Sequence, residues 1–333
     1  MSKSIPSSPK ILVIKLSSLG DIFHALPAVH SLKQDLNASI DWVTQTSYVD
    51  LVKCFPDVNR VIAFPRRDFL KKSSAFVRDL RREKYDLILD FQGLLKSALV
   101  ARIGRGGKRI GPSFAREGSN LLYSAVAGPK NKNRHAVDEV LDVVRYLGRE
   151  VRKPEFHVVF PKMSRTEPLP RIAFNPCSRW QTKNWTPERF VEVGRALQER
   201  AGATIFLVGS SEDQPVCGLM EKQIGGRVVN LCGKTSLVEL GSLLQEMNLV
   251  ITVDSGPMHM AAAVGRPVLA IFGATDPKRT GPYGERHRIV ALEGVDCRPC
   301  FSGRCARHDL ACLRNLPVER VVAQAMEMLK TAR

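Results

Sequence analysis

The fold class is indicated by Ile11-Leu-Val-Ile-Lys-Leu16, which runs directly into Ser17-Ser-Leu-Gly-Asp21. The first segment is a short, β-branched apolar run, typical of a strand buried in a parallel sheet. The second segment is a turn, and residues 22–36 after it carry apolar side chains at helical spacing. A strand, a tight turn and a helix in this order predict one repeating unit of an open α/β sheet.

The same alternation continues along the chain and restarts after a proline-rich stretch at 154–170. A strongly basic helix is predicted over 73–84. A second helix is predicted from Thr186 to Arg200, because Thr186 suits the N-cap and Pro187 the first helical position. Further strands are predicted at 40–44, 59–64, 85–90, 171–175, 204–208, 249–253 and 267–272. A length of 333 residues suits two domains. We therefore expect a flexible tail at 1–10, an N-terminal domain at 11–160 and a C-terminal domain at 161–333.

Composition excludes several classes of protein. Hydrophobic residues make up 44% of the chain, which is ordinary for globular domains and argues against disorder or a coiled coil. No apolar run reaches the roughly 18–20 residues that span a bilayer, and the first ten residues lack the apolar core of a signal peptide. The sequence therefore predicts a cytoplasmic protein.

The net charge of +17 is unevenly distributed. Residues 1–160 hold 27 basic and 16 acidic side chains, against 23 and 17 in residues 161–333. Such an excess indicates an anionic partner, which could be nucleic acid, an acidic membrane surface or a phosphorylated substrate. Aromatic residues do not interleave with the cations, which disfavours nucleic acid.

The turn after the first strand is one candidate site, because ligands of open parallel sheets bind beyond the carboxyl ends of the strands. Gly20 allows a tight turn, and Asp21 lies at the positive end of the following helix. Asp21 could act as a general base toward a hydroxyl, or it could only cap the helix.

A second candidate is the turn Asp254-Ser255-Gly256-Pro257, with His259 one helical turn further on. Gly256 permits close backbone approach, and the helix that follows would offer its N-terminal amides to a phosphate. The segment matches neither the dinucleotide fingerprint nor the P-loop, so an ordinary dehydrogenase or ATPase is disfavoured.

Two cations, Arg179 and Lys183, lie on a loop directly after a predicted strand. They could neutralise a departing diphosphate without a metal. The chain has no D-x-D motif, which is a common means of holding a divalent ion against a sugar diphosphate.

Four cysteines cluster near the C-terminus as C-x2-C-x4-C-x6-C, at Cys297, Cys300, Cys305 and Cys312. Reduced thiols, a disulfide and a structural zinc site are all compatible with this spacing.

Together these segments resemble the lipopolysaccharide heptosyltransferases of glycosyltransferase family 9, most closely the type that adds heptose to the Kdo sugar of the inner core. The segments that carry the resemblance are Ile14–Pro27, Tyr85–Ser97, Arg116-Glu117, His135–Val137, Val253–His259, Gly273–Pro277 and Gly281–Gly284. These segments follow one another in the same order as in the family and together cover about residues 11–290. The loop Ser178–Thr182 lacks the paired threonines of this type, and the cysteine cluster is more similar to the second heptosyltransferase type.

The resemblance implies a GT-B architecture, with two Rossmann-like, doubly wound parallel-sheet domains facing across a cleft. It also implies an inverting, metal-independent transfer from ADP-heptose, with no further cofactor. Asp21 would be the base, and Lys183 would hold the departing ADP phosphates. Residues expected to bind the nucleotide sugar are Ser17, Ser18, Arg179, Asp254, Ser255, Gly256 and His259, with Lys15 lining the same region.

On the acceptor side, the resemblance implies an anionic, lipid-linked glycan bound by Arg66, Arg67, Lys96, Arg116 and His135. The basic N-terminal half and a lipid-linked acceptor together predict peripheral binding to the anionic inner face of the cytoplasmic membrane. We expect a monomer with no nucleic-acid partner.

Three alternative functions are compatible with the sequence. The chain could use another core acceptor, as the second heptosyltransferase type does, or another nucleotide sugar. It could bind a sugar nucleotide without catalysis, or it could be a basic nucleic-acid-binding protein. A Rossmann oxidoreductase is disfavoured, because the first turn contains one glycine only.

Overall fold

A computed structural model of the chain describes residues 6–131, 133–151 and 153–331, apart from the side chain of Leu70. The chain divides into two compact units between Val159 and Phe160. Of the predicted tail, residues 1–5 lie outside the described residues, and Lys10 already belongs to a strand.

The first unit is built on a six-stranded parallel sheet. Its strands are β1 (Lys10–Ile14), β2 (Ser39–Gln45), β3 (Arg60–Phe64), β4 (Tyr85–Asp90), β5 (Gly106–Pro112) and β6 (Ala125–Ala127). Its helices are α1 (Leu19–Leu36), α2 (Val49–Val52), α3 (Phe69–Leu80), α4 (Leu95–Ile103) and α5 (Ala136–Tyr146), with short 3-10 turns at Thr46–Tyr48 and Ser119–Leu122.

The strand order is β3-β2-β1-β4-β5-β6, and every pair is parallel. This is the order of a doubly wound sheet, which changes direction between β1 and β4. The apolar side chains of β1, Ile11 to Ile14, are completely buried, as expected for a central strand with both faces covered.

The second unit repeats this plan. Its strands are β7 (Arg171–Asn175), β8 (Thr204–Leu207), β9 (Val228–Asn230), β10 (Leu249–Val253), β11 (Val268–Phe272) and β12 (Arg288–Ala291). Its helices are α6 (Pro187–Ala201), α7 (Gln214–Ile224), α8 (Leu237–Gln245), α9 (Gly256–Ala263), α10 (Pro277–Thr280), α11 (Ala311–Arg314) and α12 (Val318–Thr331), with 3-10 turns at Gln181–Lys183 and Ser211–Asp213.

The second sheet has the order β12-β11-β10-β7-β8-β9, again all parallel. Counted within the unit, this is the same doubly wound order, and its change of direction falls between β7 and β10. The predicted α/β class with two Rossmann-like sheets is confirmed.

Aromatic packing fixes the loop that follows β7. The Trp185 ring lies 5.4 Å from that of Phe190, which in turn lies 5.6 Å from Phe174 on β7. The indole N–H of Trp185 donates to the carbonyl of Leu313 at 3.1 Å. Both ends of the loop that carries Arg179 and Lys183 are therefore held by buried groups.

The predicted helix at 73–84 is displaced, because α3 begins at Phe69 and ends at Leu80. Phe76 and Leu80 are its buried residues, whereas the charged residues 81–84 have no apolar side chain to bury.

Strand β5 was not predicted. Its sequence, GGKRIGP, contains a single large apolar residue, and its place depends on pairing with β4.

Among the helices of the described residues, none is long and apolar enough to cross a membrane.

Candidate active site

The turn after β1 lies where the first sheet changes direction. The backbone N–H and the hydroxyl of Ser18 both donate to Asp21 Oδ2, at 2.9 and 2.8 Å. Asp21 thus caps the start of α1. Its other carboxylate oxygen, Oδ1, lies 3.9 Å from Nδ1 of the buried His24. Ser17 is half-buried and Ser18 is exposed beside it.

Gln92, just beyond β4, holds this turn in place. Its side-chain oxygen accepts hydrogen bonds from the backbone N–H groups of Leu16 and Ser17, at 3.0 and 3.1 Å. Gln92 is held in turn by Asp90, which accepts from the Gln92 N–H at 2.7 Å and from the Tyr123 hydroxyl at 2.7 Å. Burial raises the pKa of the Asp90 carboxyl, and these hydrogen bonds oppose the rise.

Lys15 lies beneath the turn and is almost completely buried. Its ammonium donates to the carbonyl of Phe91 at 2.7 Å. Burial lowers the pKa of Lys15, while the negative charges of Asp21 and Asp90 act in the opposite direction. The positive charge of Arg116 also lowers this pKa, and the Arg116 backbone N–H donates to the carbonyl of Gly93, next to Gln92, at 2.8 Å.

His135 lies near Asp21, because His24 contacts both residues. The two imidazole rings meet edge to face, with centroids 5.6 Å apart. His135 also caps α5, since its Nδ1 accepts from the backbone N–H of Val137 at 3.1 Å.

The remaining predicted acceptor residues also follow carboxyl ends of the first sheet. Lys96 is exposed, and its ammonium lies 5.8 Å from the centre of the Phe64 ring. Burial lowers the pKa of Lys96, and the nearby charge of Arg66 lowers it further. Arg66 and Arg67 are both exposed directly after β3.

Other basic residues of the N-terminal half lie elsewhere. Arg78, Arg81, Arg82 and Arg105 line one open groove. Arg82 and Arg105 lie just before β4 and β5, so this groove belongs to the amino-terminal edge of the sheet. It is therefore at the opposite edge from Asp21.

In the second unit, an ion pair connects the two predicted phosphate-binding segments. Lys183 Nζ lies 2.7 Å from Asp254 Oδ2, and the same oxygen accepts from the Thr275 hydroxyl at 2.6 Å. The Lys183 ammonium also lies 4.9 Å from the centre of the Trp180 ring. Asp254 is 4% exposed, so its charge is compensated by these two partners.

Asn175, the last residue of β7, connects the ends of β7 and β10. Its side-chain oxygen accepts from the hydroxyls of Ser255 at 2.5 Å and Thr252 at 3.3 Å. Ser255 is therefore engaged with β7 and makes no side-chain cap on α9. Gly256 begins α9 and His259 is buried within it.

The loop that carries Lys183 is held closely against the strand end at Gly273. A Cβ atom on Gly273 would lie 2.5 Å from the carbonyl oxygen of Thr182. Beside this contact is a cavity of about 280 Å³ lined in part by Thr275, Asp276 and Arg298. Arg179 is exposed on the same loop.

All four clustered cysteines are free, with Cys297 and Cys300 exposed and Cys312 buried. A disulfide is thus not formed. Among the side chains that the structure describes, the cluster does not supply a group of three ligand atoms within 4.8 Å of one another.

The structure therefore gathers Asp21, Lys15, Arg116 and His135 in the first unit, and Lys183, Asp254, Ser255 and Gly256 in the second. Ser17 and Ser18 belong to the first unit, whereas the other predicted nucleotide residues belong to the second. The residues that were missed are Gln92, Asn175 and Thr275. Each follows or ends a predicted strand, a position that could have revealed it.

The chain is similar to known proteins over most of its length. The family model of glycosyltransferase family 9 (heptosyltransferase) matches residues 73–310. The chain is 26% identical to lipopolysaccharide heptosyltransferase 1 of Pseudomonas aeruginosa, over 96% of this chain and 98% of the relative. It is 27% identical to lipooligosaccharide heptosyltransferase 2 of Campylobacter jejuni, over 97% of this chain and 99% of the relative.

Among solved structures, the chain is similar to the Escherichia coli heptosyltransferase WaaC with ADP. The TM-score is 0.79 at 25% identity, over 96% of this chain and 99% of the other. The structure of WaaC with ADP-2-deoxy-2-fluoro heptose gives a TM-score of 0.76 over the same shares. These similarities confirm the predicted GT-B fold class and the family resemblance.

The contacts of Gln92 predict a measurable loss of stability in Gln92→Ala. Removing its oxygen leaves the N–H groups of Leu16 and Ser17 without that acceptor, which costs about 1–3 kcal/mol in the free energy of unfolding. Urea denaturation measures this cost. Gln34→Ala, at an exposed position of α1, serves as the control and should change the value by about 0.5 kcal/mol or less. Equal values for the two variants would contradict the role of Gln92.

Proposed function

The chain belongs to glycosyltransferase family 9, the heptosyltransferases, and on that premise we propose that it transfers heptose from ADP-heptose to a Kdo sugar of the lipopolysaccharide inner core. The observation that carries the proposal is the ion pair between half-buried Lys183 and buried Asp254, at the direction change of the second sheet. The similar protein WaaC has been solved with ADP. The relative from Pseudomonas aeruginosa, named heptosyltransferase 1, supports the choice of acceptor.

The second unit binds the donor. Asp254 holds the Lys183 ammonium at the carboxyl edge of the sheet, where it attracts the two phosphates of ADP. Arg179 adds a second positive charge from the same loop, and the first amides of α9 at Gly256 offer backbone donors. Ser255 and His259 belong to the same turn and helix and complete this site.

The first unit binds the acceptor and activates it. The Asp21 carboxylate takes the proton of the acceptor hydroxyl as that oxygen attacks the anomeric carbon of heptose. The attack comes from the face opposite ADP, so the bond to the ADP oxygen breaks and the configuration is inverted. Ser17 and Ser18 border the reacting groups on the same turn.

Positive side chains of the first unit suit an anionic acceptor. Arg66, Arg67, Lys96 and Arg116 are all exposed at the carboxyl edge of the sheet, where carboxylates of Kdo or phosphates of lipid A can pair with them. His135 borders this group through its contact with His24.

We propose that the transfer needs no metal. Lys183 and Arg179 supply the positive charge that a divalent ion would bring to the departing diphosphate. The sequence has no D-x-D motif to hold such an ion.

A second candidate is transfer to another core sugar. The similarity to a heptosyltransferase 2 over 97% of the chain favours it, as does the cysteine cluster. A Kdo acceptor and a heptose-bearing acceptor, compared in the same assay, distinguish the two candidates.

The base assignment predicts that Asp21→Asn lowers kcat by at least about a hundredfold, while ADP binding is retained. Asparagine is isosteric and keeps an oxygen to accept from Ser18, so the helix cap is preserved. Turnover is followed by ADP release.

Asp213 offers a matched control. It accepts from the N–H and hydroxyl of Ser210 at 2.8 and 2.7 Å, which reproduces the Ser18–Asp21 cap. Asp213→Asn should leave kcat within about twofold of the parent, well short of the loss expected for a missing base. If both substitutions changed kcat equally, Asp21 would act only as a helix cap and not as the base.

The donor assignment predicts that Lys183→Gln weakens ADP binding about tenfold to a hundredfold, the usual range for a lost charge-assisted hydrogen bond. Titration calorimetry measures the Kd. Lys222→Gln, at an exposed position on α7, removes the same charge elsewhere in the unit and should leave the Kd unchanged. An unchanged Kd for Lys183→Gln would make its ion pair with Asp254 purely structural.

We also propose peripheral binding to the anionic membrane surface through the exposed Lys71 and Lys72 at the start of α3, next to Arg66 and Arg67. Each cation contributes about 1 kcal/mol near an anionic surface, so Lys71→Gln/Lys72→Gln should weaken binding to phosphatidylglycerol vesicles about tenfold or more. Sedimentation with vesicles measures the binding, which should be lost on neutral phosphatidylcholine.

The control pair is Arg82→Gln/Lys84→Gln, which removes the same charge from the amino-terminal edge of the sheet. This pair should bind vesicles as the parent does. Equal losses for both pairs would refute a specific membrane-facing surface.

A further inference from the structure

The first unit contains a cluster of side chains of the types that bind metal ions. None of them is among the residues proposed for heptose transfer. The cluster comprises His30 on α1, Asp57 in the turn before β3 and His157 in the extended segment that precedes Phe160. One ligand atom of each residue lies within 4.8 Å of the other two. The three residues come from separate parts of the chain, so the fold itself creates the cluster.

Both imidazoles point the same ring nitrogen at one carboxylate oxygen. His30 Nδ1 lies 2.9 Å and His157 Nδ1 3.0 Å from Asp57 Oδ2. Ligands bound about 2.0–2.2 Å from a tetrahedral zinc ion lie about 3.3–3.5 Å apart. The two Nδ1–Oδ2 distances are thus a few tenths of an ångström shorter than in a zinc shell, and all three ligand atoms lie within 4.8 Å of one another.

The surroundings fit a metal centre better than an ordinary surface contact. The Asp57 side chain is only 7% exposed, so its negative charge is held in a poorly solvated position. The two rings are fixed against each other, with centroids 5.1 Å apart. Glu155 Oε2 lies 3.6 Å from His30 Nε2, the nitrogen that stays protonated and needs an acceptor when Nδ1 binds a metal.

We propose that His30, Asp57 and His157 bind Zn²⁺, with Glu155 orienting the His30 ring. Two neutral imidazoles and a carboxylate are a donor set that zinc accepts, with the fourth position left to water. In the zinc-bound form each neutral imidazole carries its single proton on Nε2, both Nδ1 atoms and Asp57 Oδ2 face the metal, and any displaced proton is released to water.

The site has a structural role because of where His157 lies. Residues 155–159 lead to the boundary between the units, and the Val159 N–H donates to the carbonyl of Cys54 at 2.9 Å. Zinc therefore fastens this segment to α1 and to the turn before β3. It takes no part in the transfer reaction.

The test uses the full chain, stripped of metal with a chelator and titrated with Zn²⁺ in a calorimeter. His157→Gln removes a ligand whose side chain is 41% exposed, so the fold is retained. It should weaken zinc binding at this site at least tenfold, since even loss of a supporting partner of a ligand costs about 10–100-fold. Zinc should also raise the Tm of the parent and not that of His157→Gln.

The cysteine cluster is the competing location for zinc, and Cys297→Ser/Cys300→Ser is the matched control. This variant should retain the site that His157→Gln loses. Substitution with Co²⁺ adds a spectroscopic readout, because nitrogen and oxygen ligands give visible d–d bands without a thiolate charge-transfer band. Zinc binding that is unaffected by His157→Gln, or that is lost in the cysteine variant alone, would overturn the proposal and leave a hydrogen-bonded triad.

Discussion

In each unit, one carboxamide side chain connects the carboxyl ends of the two central strands. In the first unit, Gln92 beyond β4 accepts from the backbone that follows β1. In the second, Asn175 at the end of β7 accepts from the hydroxyls at the end of β10. Both connections lie where the strand order changes direction, which is where neighbouring loops separate and leave room for a ligand. The positions of Asp21 and of the Asp254 turn depend on them.

Charge is arranged around these two points in different ways. In the first unit a buried lysine, Lys15, lies beneath the turn, and four exposed cations follow strand ends at the same edge, namely Arg66, Arg67, Lys96 and Arg116. In the second unit the buried carboxylate of Asp254 is paired with Lys183 and Thr275, so that the lysine is positioned by a neighbour of opposite charge. The first arrangement suits an anionic acceptor, and the second suits a diphosphate that competes for a fixed ammonium group.

Much of the fold could be predicted from the sequence, because the central strands β1, β4, β7 and β10 are apolar runs with few alternatives. Strand β5 could not, since a glycine-rich and basic segment forms a strand only by pairing with β4. The candidate residues on strand–helix turns could be found because a turn after an apolar strand has a known place in the sheet. Gln92 and Thr275 follow predicted strands, so their location at the sheet edge could be predicted, but their contacts could not, because the partners are distant in sequence.

The cluster of His30, Asp57 and His157 shows the same limit. His30 and His157 are 127 residues apart in the chain, and the spacing carries no metal-binding signature. By contrast, the C-x2-C-x4-C-x6-C pattern is conspicuous in sequence, yet its side chains do not converge on one point among the described residues. Proximity in the fold is therefore a better guide to a site than spacing in the chain.

Transfer of heptose to Kdo is best tested by an assay with ADP-heptose and Kdo-bearing lipid A in the presence of EDTA. ADP release and the mass of the lipid product are read together. We expect the lipid to gain the mass of one heptose for each ADP released. A chain that binds ADP but leaves the lipid mass unchanged would contradict the proposed acceptor.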